Sequence, residues 1–264
     1  MNQIWNSQRY TEKFSFVHQY GNEVVSLIDM HGVETVLDLG CGNGALTARF
    51  LELSKSVIGM DASEEMLRIA RKDHPEIMFV CGDATAFQLD TRVDVVFSNA
   101  VFHWIEECRQ ADMIGCVYNA LNDGGQFVFE MGGQGNNQLI HNTLDTLFQH
   151  RKLKYAMPFY FPTIGMYSRL LEENGFLVEQ ALLFDRPTPL EGENGLSDWI
   201  HMFVNKPFED LSENVREEII AEAVSLLKPV LYKDGIWYAD YVRLRMKAIK
   251  EVVLGRSALT NKAD

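Results

Sequence analysis

The stretch "VLDLGCGNGALTARF", residues 36–50, constrains the fold more than any other. A short apolar run ends in Gly40, Gly42 and Gly44. A helical pattern follows at once, with Leu46, Phe50 and Leu53 on one face. Glycine has no Cβ and tolerates positive φ, so this spacing lets main-chain N–H groups approach a ligand closely. A helix N-terminus behind the loop adds partial positive charge. In an open α/β sheet such a loop lies at the carboxyl end of the first strand, where ligands bind. Asp61 ends the next apolar run, 21 residues after Gly40, and suits the two hydroxyls of a ribose. Gly40, Gly42 and Ala45 also satisfy the dinucleotide pattern, so NAD and other adenosine cofactors both remain open here, as does a plain tight turn.

The rest of the chain supplies the sheet. "TVLDLG" (35–40), "SVIGMD" (56–61), "IMFVCGD" (77–83), "DVVFSNA" (94–100) and "GQFVFEMG" (125–132) read as short strands buried on both faces. A helix opening at Ser63, with Glu64 and Glu65 first and Arg71 and Lys72 last, complements its own dipole. Leu139, Ile140, Leu144, Leu147 and Phe148 mark a further helix, and "MYSRLLEENGF" another, stopped at Asn174-Gly175. "FLVEQALLF" (176–184) reads as a strand. In "YVRLRMKAI", Val242, Leu244, Met246 and Ala248 share one face of a last strand, with Arg243 and Arg245 read toward solvent. Between these strands, one helix starts near Ser197. Another runs from Ser212, with Val215, Ile219, Ala223, Leu226 and Leu227 on one side.

This β-α alternation implies an α/β, Rossmann-like, mostly parallel sheet with right-handed crossovers and helices on both faces. The expected organisation is an N-terminal capping helical segment (1–32), a cofactor-binding core (33–184 and 236–256), a helical insertion or lid (185–235) and a tail (257–264). The final pair of strands is expected to be antiparallel.

A net charge of −13 disfavours nucleic-acid backbones and anionic membranes as partners. No run approaches the ~18 apolar residues of a membrane helix, and "MNQIWNSQRYTEKF" does not read as a secretory leader. The four cysteines form no C-x-x-C pair and no zinc-like cluster, so no metal is expected. Cys41 and Cys81 read as buried structural thiols of a reduced, cytoplasmic protein, monomeric or weakly dimeric.

"VLDLGCGNG", "VIGMDASEEMLRIAR", "FVCGDATAF" and "DVVFSNAVFHWI", spanning residues 36–105, together resemble the class I S-adenosylmethionine-dependent methyltransferases. "SNAVFHWI" and "SDWIHMF" are similar to the trans-aconitate methyltransferase-like subgroup. The resemblance implies a seven-stranded sheet of order 3-2-1-4-5-7-6 with the last strand antiparallel. It implies S-adenosyl-L-methionine as cofactor and S-adenosyl-L-homocysteine as product. Carried over by position, Gly40, Gly42 and the loop between them would lie at the methionine part and Asp61 at the ribose, with Asp38 also among the cofactor-binding residues. Ala62 and Met66 would flank the adenine, Asp83 and Ala84 would meet its other edge, and Asn99 would lie beside the amino acid end.

Methyl transfer from a sulfonium is an in-line displacement onto a small-molecule acceptor, expected here at a carboxylate or hydroxyl oxygen. A carboxylate needs no base; a hydroxyl usually does. His103 is the base candidate, with packing or substrate contact as its other reading; His18 is a lesser one. Tyr10, Tyr20, Phe102 and Trp104 are candidates for an apolar pocket wall shielding the sulfonium, although aromatics in such segments also serve as core. Arg9, Arg151, Arg169, Arg186 and Arg243 are available to a carboxylate acceptor. An NAD-dependent oxidoreductase, a cyclopropane-forming lipid enzyme and a non-catalytic cofactor-binding protein stand as alternatives.

Overall fold

The apolar runs form one mixed sheet. The computed structural model describes residue 21 and residues 23–251. Its strands are β1 (Thr35–Leu39), β2 (Ser56–Asp61), β3 (Met78–Cys81), β4 (Val93–Asn99), β5 (Leu121–Gly132), β6 (Phe176–Leu190), β7 (Tyr232–Lys233) and β8 (Ile236–Lys250). They are ordered β3-β2-β1-β4-β5-β8-β6, with the two-residue β7 paired to β8 as a hairpin arm. Strands β1 to β5 pair in parallel, whereas β8 runs antiparallel between β5 and β6. This is the expected order, with β8 in the seventh-strand place and β7 as one short addition.

The helices are α1 (Glu64–Asp73), α2 (Gln110–Ala120), α3 (Gln138–His150), α4 (Ile164–Glu173), α5 (Gly195–Phe203) and α6 (Glu213–Leu231). Ser63 caps α1 by accepting from the Met66 N–H at 3.3 Å, with both acids in its first turn and both bases in its last. Gly175, at φ +87°, ends the α4 turn in the left-handed region, where the sequence places the stop.

Three apolar clusters hold these elements. Val36, Phe50, Leu67, Phe79 and Phe97 pack one face of the parallel sheet. Leu37, Phe102, Phe127, Phe129, Tyr167 and Met246 fill the other. A third joins α3, α5 and α6 to Trp237, Ala239 and Tyr241 of β8. Its anchor is Trp199, 1% exposed, whose indole N–H donates to the Tyr241 hydroxyl at 2.6 Å.

Several expectations are corrected. The segment after the glycines is a six-residue 3-10 helix, Thr47–Glu52, with Leu53 exposed, so no long helix dipole points into the loop. β6 continues six residues past Phe184 to Leu190, because residues 185–190 pair along the whole first half of β8; the helical insertion begins after it. Leu139 and Leu226 face solvent; the buried stripes run through Ile140 and Leu144, and through Ile219, Ile220 and Ala223. Cys81 is exposed at the end of the edge strand β3, while Cys41 is buried. Arg243 and Arg245 are not solvent-facing, for reasons given below. The described part of the first segment places Val24 and Ile28 against the sheet. Residues 1–20 and 22, hence Tyr10, His18 and Tyr20, lie outside the described residues, as do 252–264. Among the described residues no helix is long and apolar enough to cross a membrane.

Candidate active site

The site is built on the carboxyl ends of β1, β2, β3 and β4. Gly40 and Gly44 are needed for different reasons. Gly40 has φ +82°, and a Cβ there would sit 2.2 Å from Val101 Cγ2, so the main chain passes directly over the β4 turn. At Gly44, φ +79°, a Cβ would meet the Phe79 ring at 2.8 Å; this glycine lets β3 close on the loop. Gly42 contributes its N–H, which donates to Asp61 Oδ2 at 2.9 Å. The Ser63 N–H donates to Asp61 Oδ1 at 2.8 Å. Asp61 is thereby fixed at the tip of β2, against the loop, with an acceptor lone pair left on each oxygen.

Asp38 lies beneath, 2% exposed, and accepts from the Thr47 hydroxyl at 2.6 Å. Burial pushes its carboxyl up to about 7, opposed by the Thr47 hydrogen bond and assisted by repulsion from Asp61. Burial also raises Asp61, against the pull of the Ser63 and Gly42 N–H groups. Met66 is buried beside Gly42, whereas Ala62 is exposed at the start of α1. Asp83 accepts from both the N–H and the hydroxyl of Thr85, at 2.8 and 2.7 Å, which holds its carboxyl low and fixes the turn after β3 with Ala84 half-buried. Asn99 ends β4, half-buried. The structure thus brings Asp38, Gly40, Gly42, Asp61 and Met66 together, with Asp83, Ala84 and Asn99 at adjoining strand ends.

Two carboxylates converge on a glycine loop that is backed by only a short 3-10 helix. A diphosphate favours N–H groups backed by a helix dipole, with no buried acid beneath the loop such as Asp38. A cofactor carrying an ammonium, a ribose and no phosphate fits this arrangement, with a cation for the buried Asp38 and two hydroxyls for Asp61.

The second half of the site has the reverse polarity. After β4 the chain turns at Ala100, φ +62°, whose N–H donates to the Glu130 carbonyl at 2.7 Å. A short 3-10 turn, Phe102–Trp104, follows. Phe102 points into the core, fully buried against Phe127 and Phe129 of β5, so it is core and not the expected pocket wall. Trp104 is half-buried, edge-on to Phe159 at 4.7 Å and near Phe203 of α5 at 6.2 Å. His103 is 7% exposed, and its Nδ1 accepts from the Gly132 N–H at 3.3 Å. That bond puts the ring proton on Nε2. Burial, then the nearby Arg243 cation, hold the imidazole well below its usual range, so it is neutral at pH 7.

Sequence reasoning left Arg186 and Arg243 open and set Arg243 and Arg245 toward solvent. All three surround Glu130 of β5, which is 3% exposed. Arg186 reaches it at 2.5 and 3.0 Å, Arg245 Nε at 2.8 Å and Arg243 Nε at 4.0 Å. Arg243 and Arg245 are shielded because β8 lies between β5 and β6, and Arg186 reaches in from the neighbouring β6. Arg243 stacks over the Tyr241 ring at 4.3 Å and lies opposite Gly132 in the β5–β8 register, beside His103. Arg151 and Arg169 instead pair with Glu222 and Glu173. Among the described residues no His, Cys, Asp and Glu group could hold a metal.

A methyltransferase-domain family model matches residues 36–125, the part that carries the loop, the acids and β4. An uncharacterised methyltransferase of Schizosaccharomyces pombe is 32% identical over 94% of this chain and 98% of its own. The chain belongs to the S-adenosylmethionine-dependent methyltransferases. Trans-aconitate 2-methyltransferase of Azoarcus sp. is 30% identical over a shorter span, 48% of this chain and 50% of that one. A candidate methyltransferase from Bacillus halodurans C-125 shares the fold, with TM-score 0.62 and 20% identity over 88% of this chain and 98% of the other. S-adenosylmethionine is the cofactor of this methyltransferase.

Proposed function

We propose that the protein methylates an oxygen of a small-molecule acceptor, a carboxylate ahead of a hydroxyl. The observation that carries this reading is the Gly132 N–H to His103 Nδ1 bond. It makes His103 an Nε2–H donor, and a neutral ring whose free nitrogen already bears a proton cannot remove one from a hydroxyl. A carboxylate needs no such step. The buried Arg243 beside His103 supplies a positive charge for it. The similarity to a trans-aconitate methyltransferase supports the same choice over the span it covers.

S-adenosylmethionine supplies an electrophilic methyl carbon on a sulfonium. The chain's work is to bind, orient and exclude water, which is worth several powers of ten. In this reading Gly40 and Gly42 lie along the methionine part, Asp38 near its ammonium and Asn99 at its amino acid end. Asp61 takes the ribose, Ala62 and Met66 flank the adenine, and Asp83 and Ala84 meet its far edge. The helices after β6 close over the acceptor, since Trp104 packs on both the site and α5. The buried Asp38 and the short 3-10 helix behind the loop argue against NAD, and a net charge of −13 argues against a membrane lipid.

Asp61→Ala is expected to weaken S-adenosylhomocysteine binding tenfold to a hundredfold by calorimetry, the scale of lost charge-assisted hydrogen bonds worth ~1.5–3 kcal/mol. Unchanged affinity would remove Asp61 from the ribose. A screen of carboxylates, phenols and amines with labelled cofactor identifies the acceptor, and transfer only to nitrogen would overturn the oxygen reading. Total absence of transfer with intact binding would favour a non-catalytic protein. For His103, kcat is expected to stay flat from pH 6 to 9. His103→Ala should lower turnover at least tenfold, and His103→Gln, which keeps an N–H, should recover part of it. A rising limb through pH 6–7 that vanishes in His103→Ala would instead make His103 the base.

A further inference from the structure

His103 is not the only histidine at this edge. His141 lies in the first turn of α3, 5% exposed, on the same face as Leu144 and Phe148. Its place is fixed from β8: the Asp240 carboxylate accepts from the Leu139 N–H at 2.8 Å, and the Asp240 carbonyl from the Asn137 N–H at 2.9 Å. The ring is fixed from the other side, with Nδ1 2.7 Å from the Tyr155 hydroxyl. Its Nε2 is buried and has no hydrogen-bond partner among the described residues. A buried polar nitrogen left unpaired is unfavourable, and it persists where a ligand or a water completes it.

The surroundings say which ligand. The His141 ring meets Phe159 at 5.5 Å, Phe161 at 6.1 Å and Trp199 at 6.3 Å. The His103 ring meets the same two phenylalanines, at 5.9 and 6.0 Å. Phe159 and Phe161 stack on each other, 5.3 Å apart at 19°, and both are half-buried. Two histidines from different elements thus converge on one aromatic pair. The hydroxyl of the half-buried Tyr155 has His141 Nδ1 as its partner; when Tyr155 donates there, the proton of His141 sits on Nε2. Both rings then offer N–H donors from fixed Nδ1 partners.

We infer that His141 is a second acceptor-binding residue, its Nε2–H meeting the oxygen-bearing group that His103 meets, with Phe159 and Phe161 stacking on the body of the molecule. A carboxylate has two oxygens, so one can be held by the histidines while the other receives the methyl group. Tyr155 is a positioning residue, acting through the tautomer of His141. The inference rests on the oxygen-acceptor reading above and adds the residue that selects for it.

The test uses the full chain saturated with S-adenosylhomocysteine, and benzoate and fumarate as carboxylate probes. Nitrogen-15 spectra of the histidines are expected to report His141 protonated at Nε2, with that resonance moving on addition of a probe. His141→Ala and His141→Phe, the second keeping ring packing without an N–H, should each weaken probe binding at least tenfold. S-adenosylhomocysteine affinity should stay within twofold. Tyr155→Phe should weaken probe binding several-fold and restore a mixed tautomer in the spectrum. If His103→Ala weakens the probes but both His141 variants bind them normally, His141 is packing alone and the inference fails while the acceptor reading stands. If His141 proves protonated at Nδ1, its role as a donor is overturned. If neither probe perturbs either histidine, the carboxylate reading falls and this inference falls with it.

Discussion

Glu130→Ala is expected to destabilise the fold by about 3–5 kcal/mol, the loss seen when one partner of a buried ion pair is removed. The pair here is a cluster. Glu130 accepts two hydrogen bonds from Arg186 on β6 and another from Arg245 on β8, with Arg243 4.0 Å away. Removing the carboxylate leaves the buried guanidiniums of Arg186 and Arg243 and the partly buried one of Arg245 around an empty centre. Glu23 reaches Arg245 at 2.9 Å and Arg186 at 3.6 Å, but it is 61% exposed and its charge is screened by water. The melting temperature should fall by roughly 6–20 °C, at 2–4 °C per kcal/mol. Glu130→Gln keeps volume and an acceptor and should lose less, which separates charge from packing. Turnover should fall as well, because Arg243, which stands beside His103, loses the carboxylate next to it. A Glu130→Ala protein as stable to urea as wild type would mean that the arginines find enough water or Glu23 to replace it.

How much of this was legible in the sequence depends on the range of each contact. The glycine loop, the Ser63 cap and Asp61 are fixed by neighbours within about 20 residues, and their residue types state their roles. The β-α alternation implies the parallel part and an antiparallel final pair, and the family resemblance supplies the strand order. The arginines of β8 were misread because period-two alternation assumes one wet face. At β8 the apolar cover changes face along the strand, from Trp237, Ala239 and Tyr241 to Leu244, Met246 and Ala248. The partner that neutralises Arg245 is 115 residues away, which no local pattern reports. His141 carried a local signal that was passed over. The helix stripe that begins at Leu139 fits a period of 3.6 less well than one through Ile140, His141, Leu144 and Phe148, and a histidine inside an apolar stripe asks for a partner. Phe102 is core and not pocket wall because successive residues of the turn after β4 meet different neighbours: Phe102 packs on Phe127 and Phe129, and His103 on Phe159 and Phe161. Nothing in the string "NAVFHW" distinguishes the two.

Asp38→Asn is expected to act in opposite directions on stability and on cofactor binding, and pH separates the two. The Asp38 carboxyl has an ordinary value of 3.8 and about 7 in the folded, cofactor-free protein. Its folded-state value is raised, so between these limits the native state binds the proton more tightly than the unfolded chain. Stability therefore falls as pH climbs from about 4 to about 7 and levels off above. Three pH units at 1.36 kcal/mol each set the scale, on the order of 4 kcal/mol at full burial. Asparagine can keep the hydrogen bond from Thr47 with no charge to bury. The variant should melt several degrees above wild type at pH 8, and together with it at pH 4. Cofactor binding should respond the other way. A cationic ligand favours the ionised carboxylate, so the wild-type affinity for S-adenosylmethionine should rise with pH until Asp38 is ionised without it. Near pH 6 each binding event should release up to one proton, read by calorimetry in two buffers of different ionisation enthalpy. In Asp38→Asn that release should vanish and the affinity at pH 8 should drop tenfold or more, while the product's binding, which lacks the sulfonium but keeps the ammonium, should drop by a similar factor. Equal losses for both ligands would assign Asp38 to the ammonium; a loss confined to S-adenosylmethionine would assign it to the sulfonium. If neither affinity changes and the higher melting point remains, Asp38 serves only to hold Thr47 under the loop, and the charge balance of the cofactor half rests on Asp61.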